Sequence, residues 1–312
     1  MTPILQFKAI YQERVWGGRE LESFLGRTLT GSTPIGESWE IVDRPEAQSI
    51  IQGGPWAGKT IREVLATDGA EIMGPTWPKD RPFPILVKWL DCRDRLSVQV
   101  HPPASIAAKL GGEPKTENWY FAQCDQGAAV YAGLKPGVTR QSFEAAIADA
   151  SVDQSLVSLP VRTGDSLLIH SGTMHAIDAG NVILEIQQNS DTTYRVYDWG
   201  RVGLDGKPRA LHVAQSLACL DANTSPEPKL LSGAGVLADC AEFRITKHEL
   251  AAGSALHFVA REEARILSVV GGEVSVGGLK LSVGDNVLLG YAGDYAVVAE
   301  AGATVLVTDH FS

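Results

Sequence analysis

Thiols are scarce in this chain. Its 312 residues include four cysteines, at positions 92, 124, 219 and 240, with no Cys-x-x-Cys pair. That spacing excludes a disulfide framework and a thiolate zinc cluster, and leaves reduced, mostly buried small hydrophobes. Long apolar runs are missing too: no stretch is long enough to span a bilayer, and the first residues, with Gln6, Lys8, Gln12, Glu13 and Arg14, lack the apolar centre of a signal peptide. A cytoplasmic protein without membrane contact is expected. Basic charge is also in short supply, since 27 Lys and Arg against 37 Asp and Glu leave a formal charge of −10. This balance argues against a nucleic-acid partner. An anionic ligand would have to be caught by a local cluster of Lys and Arg against the global field.

Glycine is plentiful (32 residues) and the strand-like runs are short, which predicts a mainly β fold with tight turns. Runs of this kind cover residues 85–89, 96–101, 119–122, 166–170, 182–187 and 194–197. Helices are few. Thr60 and Glu63 form a capping-box pattern that opens a helix through about Ala66, another is expected over Arg140–Ala150, and a short one is expected between Pro103 and Leu110. The polar segment 221–229, with Pro226 and Pro228, reads as a boundary. It predicts a catalytic domain over 1–225 and a smaller β module over 230–312. The histidines of that module (His248, His257, His310) show no ligand spacing, so it is expected to hold no metal of its own. A distant repeat links the two parts: Gly164-Asp165 and Gly284-Asp285 each follow an apolar–polar step and lead into an apolar strand, suggesting two related β-barrels.

The chemistry concentrates in a few segments. In Leu-Ser-Val-Gln-Val-His, strand alternation puts Leu96, Val98 and Val100 on one face and Ser97, Gln99 and His101 on the other. Glu117 shares a face with Lys115 and Trp119, and His175 follows a Ser-Gly-Thr turn. Gln99, His101, Glu117 and His175 make a plausible set of four for one divalent metal, zinc by donor type. Spacing alone equally allows two ordinary hydrogen-bonded histidines and a surface carboxylate. Glu185 lies on the same strand face as Ile183 and Gln187, and Arg195 follows a polar turn, so one could move protons and the other hold a phosphate or an oxyanion. Lys88 interrupts an apolar run, and either snorkels to solvent or aims into a cleft.

These segments resemble type I mannose-6-phosphate isomerase, a zinc-dependent cupin family. The resemblance rests on Phe-Pro-Ile-Leu-Val-Lys88, Leu-Ser-Val-Gln-Val-His-Pro102, Pro-Lys-Thr-Glu117-Asn-Trp-Tyr, Gly-Thr-Met-His175-Ala, Glu185 and the stretch from Ser190 to Arg195. The opening Val-Trp16-Gly-Gly and Ile-Gly-Glu-Ser-Trp39-Glu fit the short bacterial form. The match runs from about Trp16 to Leu217 and includes no large helical insertion. It implies a cupin (jelly-roll) β-barrel catalytic domain with a few short helices, joined to a smaller β-barrel module. It also implies one Zn²⁺ per chain, or another divalent metal, on Gln99, His101, Glu117 and His175. Arg195 then matches the active-site arginine and Glu185 a carboxylate near the reacting carbons, while Lys88, Ser97 and Lys115 line the sugar-phosphate pocket.

The reaction so implied is aldose–ketose isomerisation of mannose 6-phosphate and fructose 6-phosphate through a metal-stabilised cis-enediol. Glu185 is the expected proton carrier, with Lys115 or a metal-bound water as alternatives, and Arg195 would stabilise negative charge or grip the phosphate. Competing readings are an isomerase of a related or unphosphorylated sugar, and a non-catalytic sugar-binding cupin. A small-molecule sugar phosphate is the expected partner, to a monomer or homodimer.

Overall fold

The computed structural model describes residues 3–311. The chain is mainly β, and by its contacts it divides into two units: residues 1–10, 39–87 and 232–312 form one, and residues 11–38 and 88–231 the other. This partition differs from the division 1–225 and 230–312 expected from the sequence. Its C-terminal cut falls beside the polar segment 221–229, but residues 39–87 group with the C-terminal module. The physical reason is long-range pairing that no local pattern signals. Strand Ile4–Gln6 pairs antiparallel with Asn286–Leu289. Tyr291 and Ala292 donate their backbone amides to Ile72 O and Glu71 O, at the end of helix Ile61–Ile72. That helix starts at the predicted capping box, with Glu63 N donating to Thr60 Oγ1 and Thr60 N to Glu63 Oε2. It runs past Ala66 because Ile61, Val64, Leu65 and Ile72 all bury on one side.

In the C-terminal part of the first unit, two antiparallel sheets enclose an apolar interior. One has the strand order Ile4–Gln6, Asn286–Leu289, Arg265–Gly271, Ala303–Asp309, Arg244–Leu250, Gly235–Asp239, and the other Ala255–Phe258, Tyr295–Val298, Glu273–Val276, Leu279–Ser282. A single cluster draws Leu267, Val287, Val305 and Val307 from the first sheet and Val274, Leu281, Tyr295 and Val297 from the second, which sets the sheets face to face.

The second unit repeats this plan. One sheet runs Leu230–Leu231, Ser166–Ile169, Glu117–Cys124, Asn181–Gln188, then residues 88–92, 35–38 and 11–18 of three further strands. The other runs Leu156–Pro160, Ala129–Leu134, His175–Ile177, Val98–Val100, Tyr194–Tyr197. Both pairs of sheets form the open, two-layer version of the expected jelly roll. Between the layers of the second unit lie Trp16, Leu90, Trp119, Phe121, Val130, Leu167 and Ile183. The outer face of the five-stranded sheet (Val98, Val100, Ala176, Val196) packs against Phe143 of helix Arg140–Ala148 and Leu217 of helix Val213–Asp221. The first of these helices ends two residues short of its expected limit because Ala150 turns to a left-handed φ of 61°. The second was not expected from the sequence. No helix among the described residues is long and apolar enough to cross a membrane.

Candidate active site

Because Val98 and Val100 face the helices, the polar residues alternating with them face the space between the sheets. Ser97 and Gln99 point there from the short strand Val98–Val100, and His101 follows directly after it. His175 opens its strand opposite Gln99 and Ala132. The turn before it, with Gly172 at φ 94°, is tied to the end of strand Val98–Val100 by Gly172 N donating to His101 O at 2.7 Å. Glu117 opens the strand Glu117–Cys124, opposite Gln187 and Ile169. Alternation along these strands brings His101, Glu117 and His175 together in the interior, with their ligand atoms all within 4.8 Å of one another.

The tautomers decide what this cluster wants. His101 Nδ1 lies 2.8 Å from Thr192 O and His175 Nδ1 lies 2.8 Å from Thr173 O. A carbonyl only accepts, so both Nδ1 atoms carry the proton and both Nε2 atoms present lone pairs. Those lone pairs face a carboxylate: His101 Nε2 is 3.2 Å from Glu117 Oε2, and His175 Nε2 is 3.4 Å from Glu117 Oε1. Acceptors therefore meet acceptors. Neither oxygen of Glu117 nor Nε2 of His101 has a hydrogen-bond donor in good geometry, although all three atoms are buried. The Lys115 ammonium lies 2.6 Å from Glu117 Oε2, but Glu117 Oε1 and His101 Nε2 are left as buried lone pairs, which are costly without a further cation. Ligands on a tetrahedral zinc with bonds of about 2.1 Å lie about 3.4 Å apart, close to the 3.2 and 3.4 Å between the two Nε2 atoms and the Glu117 oxygens. Gln99 completes the ring, its amide 3.3 Å from His175 Nε2 with Ser97 Oγ 3.1 Å from the other end. Rotation of that amide turns its oxygen inward and its NH₂ onto Ser97. The donor set fits zinc.

Burial, then the Lys115 charge, pushes the His101 imidazole below its ordinary range, and burial takes His175 down to about 3. Both stay neutral, as metal ligands must. Glu117 is fully buried, yet the Lys115 ammonium at 2.6 Å outweighs desolvation and holds its carboxyl well below the usual range. Glu185 goes the other way: burial, then the Glu117 charge, raise it. Its Oε2 accepts from Trp119 Nε1 at 3.1 Å, and its Oε1 lies 3.6 Å from Lys115 Nζ and 3.7 Å from Lys88 Nζ. Lys88 therefore does not snorkel; it reaches into the cleft, where it also lies 3.7 Å from Asp191.

These side chains line a cavity of about 420 Å³. It takes in Ser97, Gln99, Lys88, Lys115, Glu185 and Arg195, all picked out in the sequence, and His101, Glu117 and His175 cluster beside it. The sequence reading missed Arg14, Glu37, Arg209 and His212, which line the cavity as well. Arg209 and His212 come from an irregular segment, where no alternation marks an inward face. In the first unit, His310 lies 3.7 Å from Glu263 in a group with Asp309. The Arg265 guanidinium already sits on both carboxylates, at 3.4 and 3.9 Å, and supplies the positive charge there.

Comparison with known proteins adds independent findings. The family model for the catalytic domain of type I phosphomannose isomerase matches residues 4–132. A mannose-6-phosphate isomerase of Streptococcus mutans is 38% identical over 238 residues, 75% of this chain and 74% of that protein. The mannose-6-phosphate isomerase ManA of Bacillus subtilis is 35% identical over 281 residues, 87% of each chain. The crystal structure of mannose 6-phosphate isomerase from Bacillus subtilis superposes with a TM-score of 0.84 at 28% identity, over 99% of this chain and all of that one.

Proposed function

We infer the division of labour in this site from one premise: the chain belongs to the type I phosphomannose isomerase family and interconverts mannose 6-phosphate and fructose 6-phosphate. In our reading Gln99, His101, Glu117 and His175 hold one zinc ion. When bound, zinc supplies Lewis acidity that lowers the cost of negative charge on the sugar's O1 and O2. The rest falls to the chain's own side chains.

Isomerisation moves a proton between C1 and C2 through a cis-enediol. Glu185 is the group we assign to carry it. Its carboxyl is buried, raised in pKa by that burial, and fixed by Trp119 Nε1, which suits a group that takes up a proton and hands it back. Lys115 is a poor rival, because Glu117 and Glu185 outweigh its burial and hold the ammonium firmly protonated. It acts instead as a fixed cation, keeping Glu117 ionised and standing beside the proton carrier. Lys88 does the same for Glu185 from the other side. Arg195 donates to Ser97 Oγ at 3.3 Å and to Ala210 O at 3.0 Å, which orients its guanidinium along the cavity wall toward substrate oxygens.

The observation that carries the metal assignment is the meeting of two unprotonated Nε2 atoms with the Glu117 carboxylate in a buried space. The test is a coupled assay of fructose 6-phosphate formation from mannose 6-phosphate before chelation, after it, and after zinc is restored. Activity should vanish with the chelator and return with stoichiometric zinc. Full turnover by protein stripped of metal would overturn the assignment.

A further inference from the structure

Two groups of charged side chains stand out in the cavity. Around the proton carrier, Lys88 and Lys115 meet three carboxylates, Glu117, Glu185 and Asp191, at 2.6–3.7 Å. Both ammoniums are held by those carboxylates. The second group comes mostly from the segment after strand Tyr194–Tyr197. Asp198 is buried and receives two guanidiniums, Arg201 Nη2 at 3.0 Å and Arg209 Nε at 2.7 Å. Arg195 bears on the same segment through its bond to Ala210 O, and Arg201 also lies 3.5 Å from Asp94, so three guanidiniums meet two carboxylates there.

His212 adds a neutral donor. Arg195 N donates to His212 Nδ1 at 3.2 Å, while His212 N donates to Arg195 O at 2.7 Å. A backbone amide only donates, so Nδ1 is the bare nitrogen and Nε2 carries the proton. The ring does not cap its own helix, Val213–Asp221, whose positive end starts there. Nothing in the reaction at C1 and C2 uses Arg209 or His212. A bridge between Val202 and Pro208 closes a tight loop that sets Arg209 at the cavity wall.

We propose that Arg209 and His212 are the specificity-determining residues for the phosphate of the substrate, with Asp198 as the positioning residue that orients Arg209. The proposal rests on the isomerase reading above and deepens it. The sugar then lies with C1 and C2 at the zinc ligands and Glu185, and with C6 toward the guanidiniums. Lys88 and Lys115 belong to the reacting end and not to the phosphate. A phosphate carries about −1.5 to −2 charge at neutral pH, which matches a wall where guanidiniums outnumber the carboxylates they meet. The crowding of these cations has an electrostatic signature as well: burial, then the charge of Arg209, lowers the Arg195 pKa.

The experiment compares wild type with Arg209→Gln and His212→Gln, each checked for zinc content and melting temperature. It reads KM and kcat for mannose 6-phosphate, and the inhibition constant of inorganic phosphate. Loss of a charge-assisted bond to phosphate should raise KM and the phosphate constant together in Arg209→Gln, by about 10- to 100-fold, with kcat held within about threefold. His212→Gln should move both in the same direction by less. An unchanged KM, or a raised KM with an unchanged phosphate constant, would overturn the proposal. If Arg209→Gln does not fold, His212→Gln decides by the same two readings. Should wild type fail to turn over mannose 6-phosphate, the isomerase reading falls. Calorimetric titration of inorganic phosphate into the same proteins then still decides the subsite.

Discussion

The two units share one turn. In the second, Gly164 N donates to Phe121 O at 2.8 Å, Phe121 N to Asp165 O at 3.0 Å, and Arg162 N to Asp165 Oδ2 at 2.9 Å. In the first, Gly284 N donates to Val269 O at 3.0 Å, Val269 N to Asp285 O at 3.0 Å, and Ser282 N to Asp285 Oδ2 at 2.8 Å. Both glycines sit at left-handed φ, 94° and 100°, where a side chain would be strained. From these turns the strand registers can be matched residue by residue. Trp119 lies between Leu167 and Glu185, and Leu267 lies between Val287 and Val307. The Gly-Asp repeat seen in the sequence is thus a shared backbone plan with opposite interiors. Where one sandwich puts a carboxylate on its inward face, the other puts valine. A cupin scaffold needs no polar interior to fold, so the polar cluster of the second unit is retained at a cost in desolvation that only function repays.

The widest contrast is at the matched pair Glu185 and Val307. Glu185→Gln keeps the shape and the Trp119 bond and removes only the ability to take a proton. Turnover should fall by about 10²–10⁴-fold with zinc content unchanged, read by steady-state kinetics and metal analysis. Near-normal turnover with zinc bound would move the proton carrier elsewhere. The reverse change, Val307→Glu, places a carboxylate among the apolar side chains of Leu267, Val287 and Val305. Stability should drop by roughly 2–4 kcal/mol near neutral pH. Burial raises the pKa of such a carboxyl above its unfolded value, so the penalty shrinks as pH falls through that raised value, where the group binds a proton on folding. Denaturant titrations at two pH values measure this. A loss below about 0.5 kcal/mol would mean that the matched interiors tolerate polarity equally.

How much of this was legible in the sequence follows from the range of the forces involved. Strand alternation acts over two residues, and it correctly paired Ser97 with Gln99 and His101, and Lys115 with Glu117. The capping box of Thr60 and Glu63 is equally local. Helix Val213–Asp221 has no capping side chain at His212, so nothing in its sequence marked its start. The grouping of residues 39–87 with the C-terminal module depends on contacts such as Tyr291 N to Ile72 O and the Phe83–Phe311 ring pair, which link segments more than two hundred positions apart. Arg209 and His212 were invisible for a related reason: an irregular segment has no period, and their placement depends on Asp198 and on the backbone of Arg195.

The shared turn itself offers the smallest effect and the cleanest control. Asp165 and Asp285 make the same backbone bonds in the two units, half-exposed, and neither lines the catalytic cavity. If the turn only sets strand register, Asp165→Ala and Asp285→Ala should each cost about 1 kcal/mol, the value of one hydrogen bond to a carboxylate at a turn, and leave kcat alone. A clear fall in kcat for Asp165→Ala, at equal loss of stability, would show that the second unit has bound its turn to its site. Strand Ser166–Ile169 leaves that turn and ends opposite Glu117, so a shift in its register would reach that carboxylate directly. Equal costs and unchanged turnover would instead place the whole functional difference between the two sandwiches in the side chains of their inward faces.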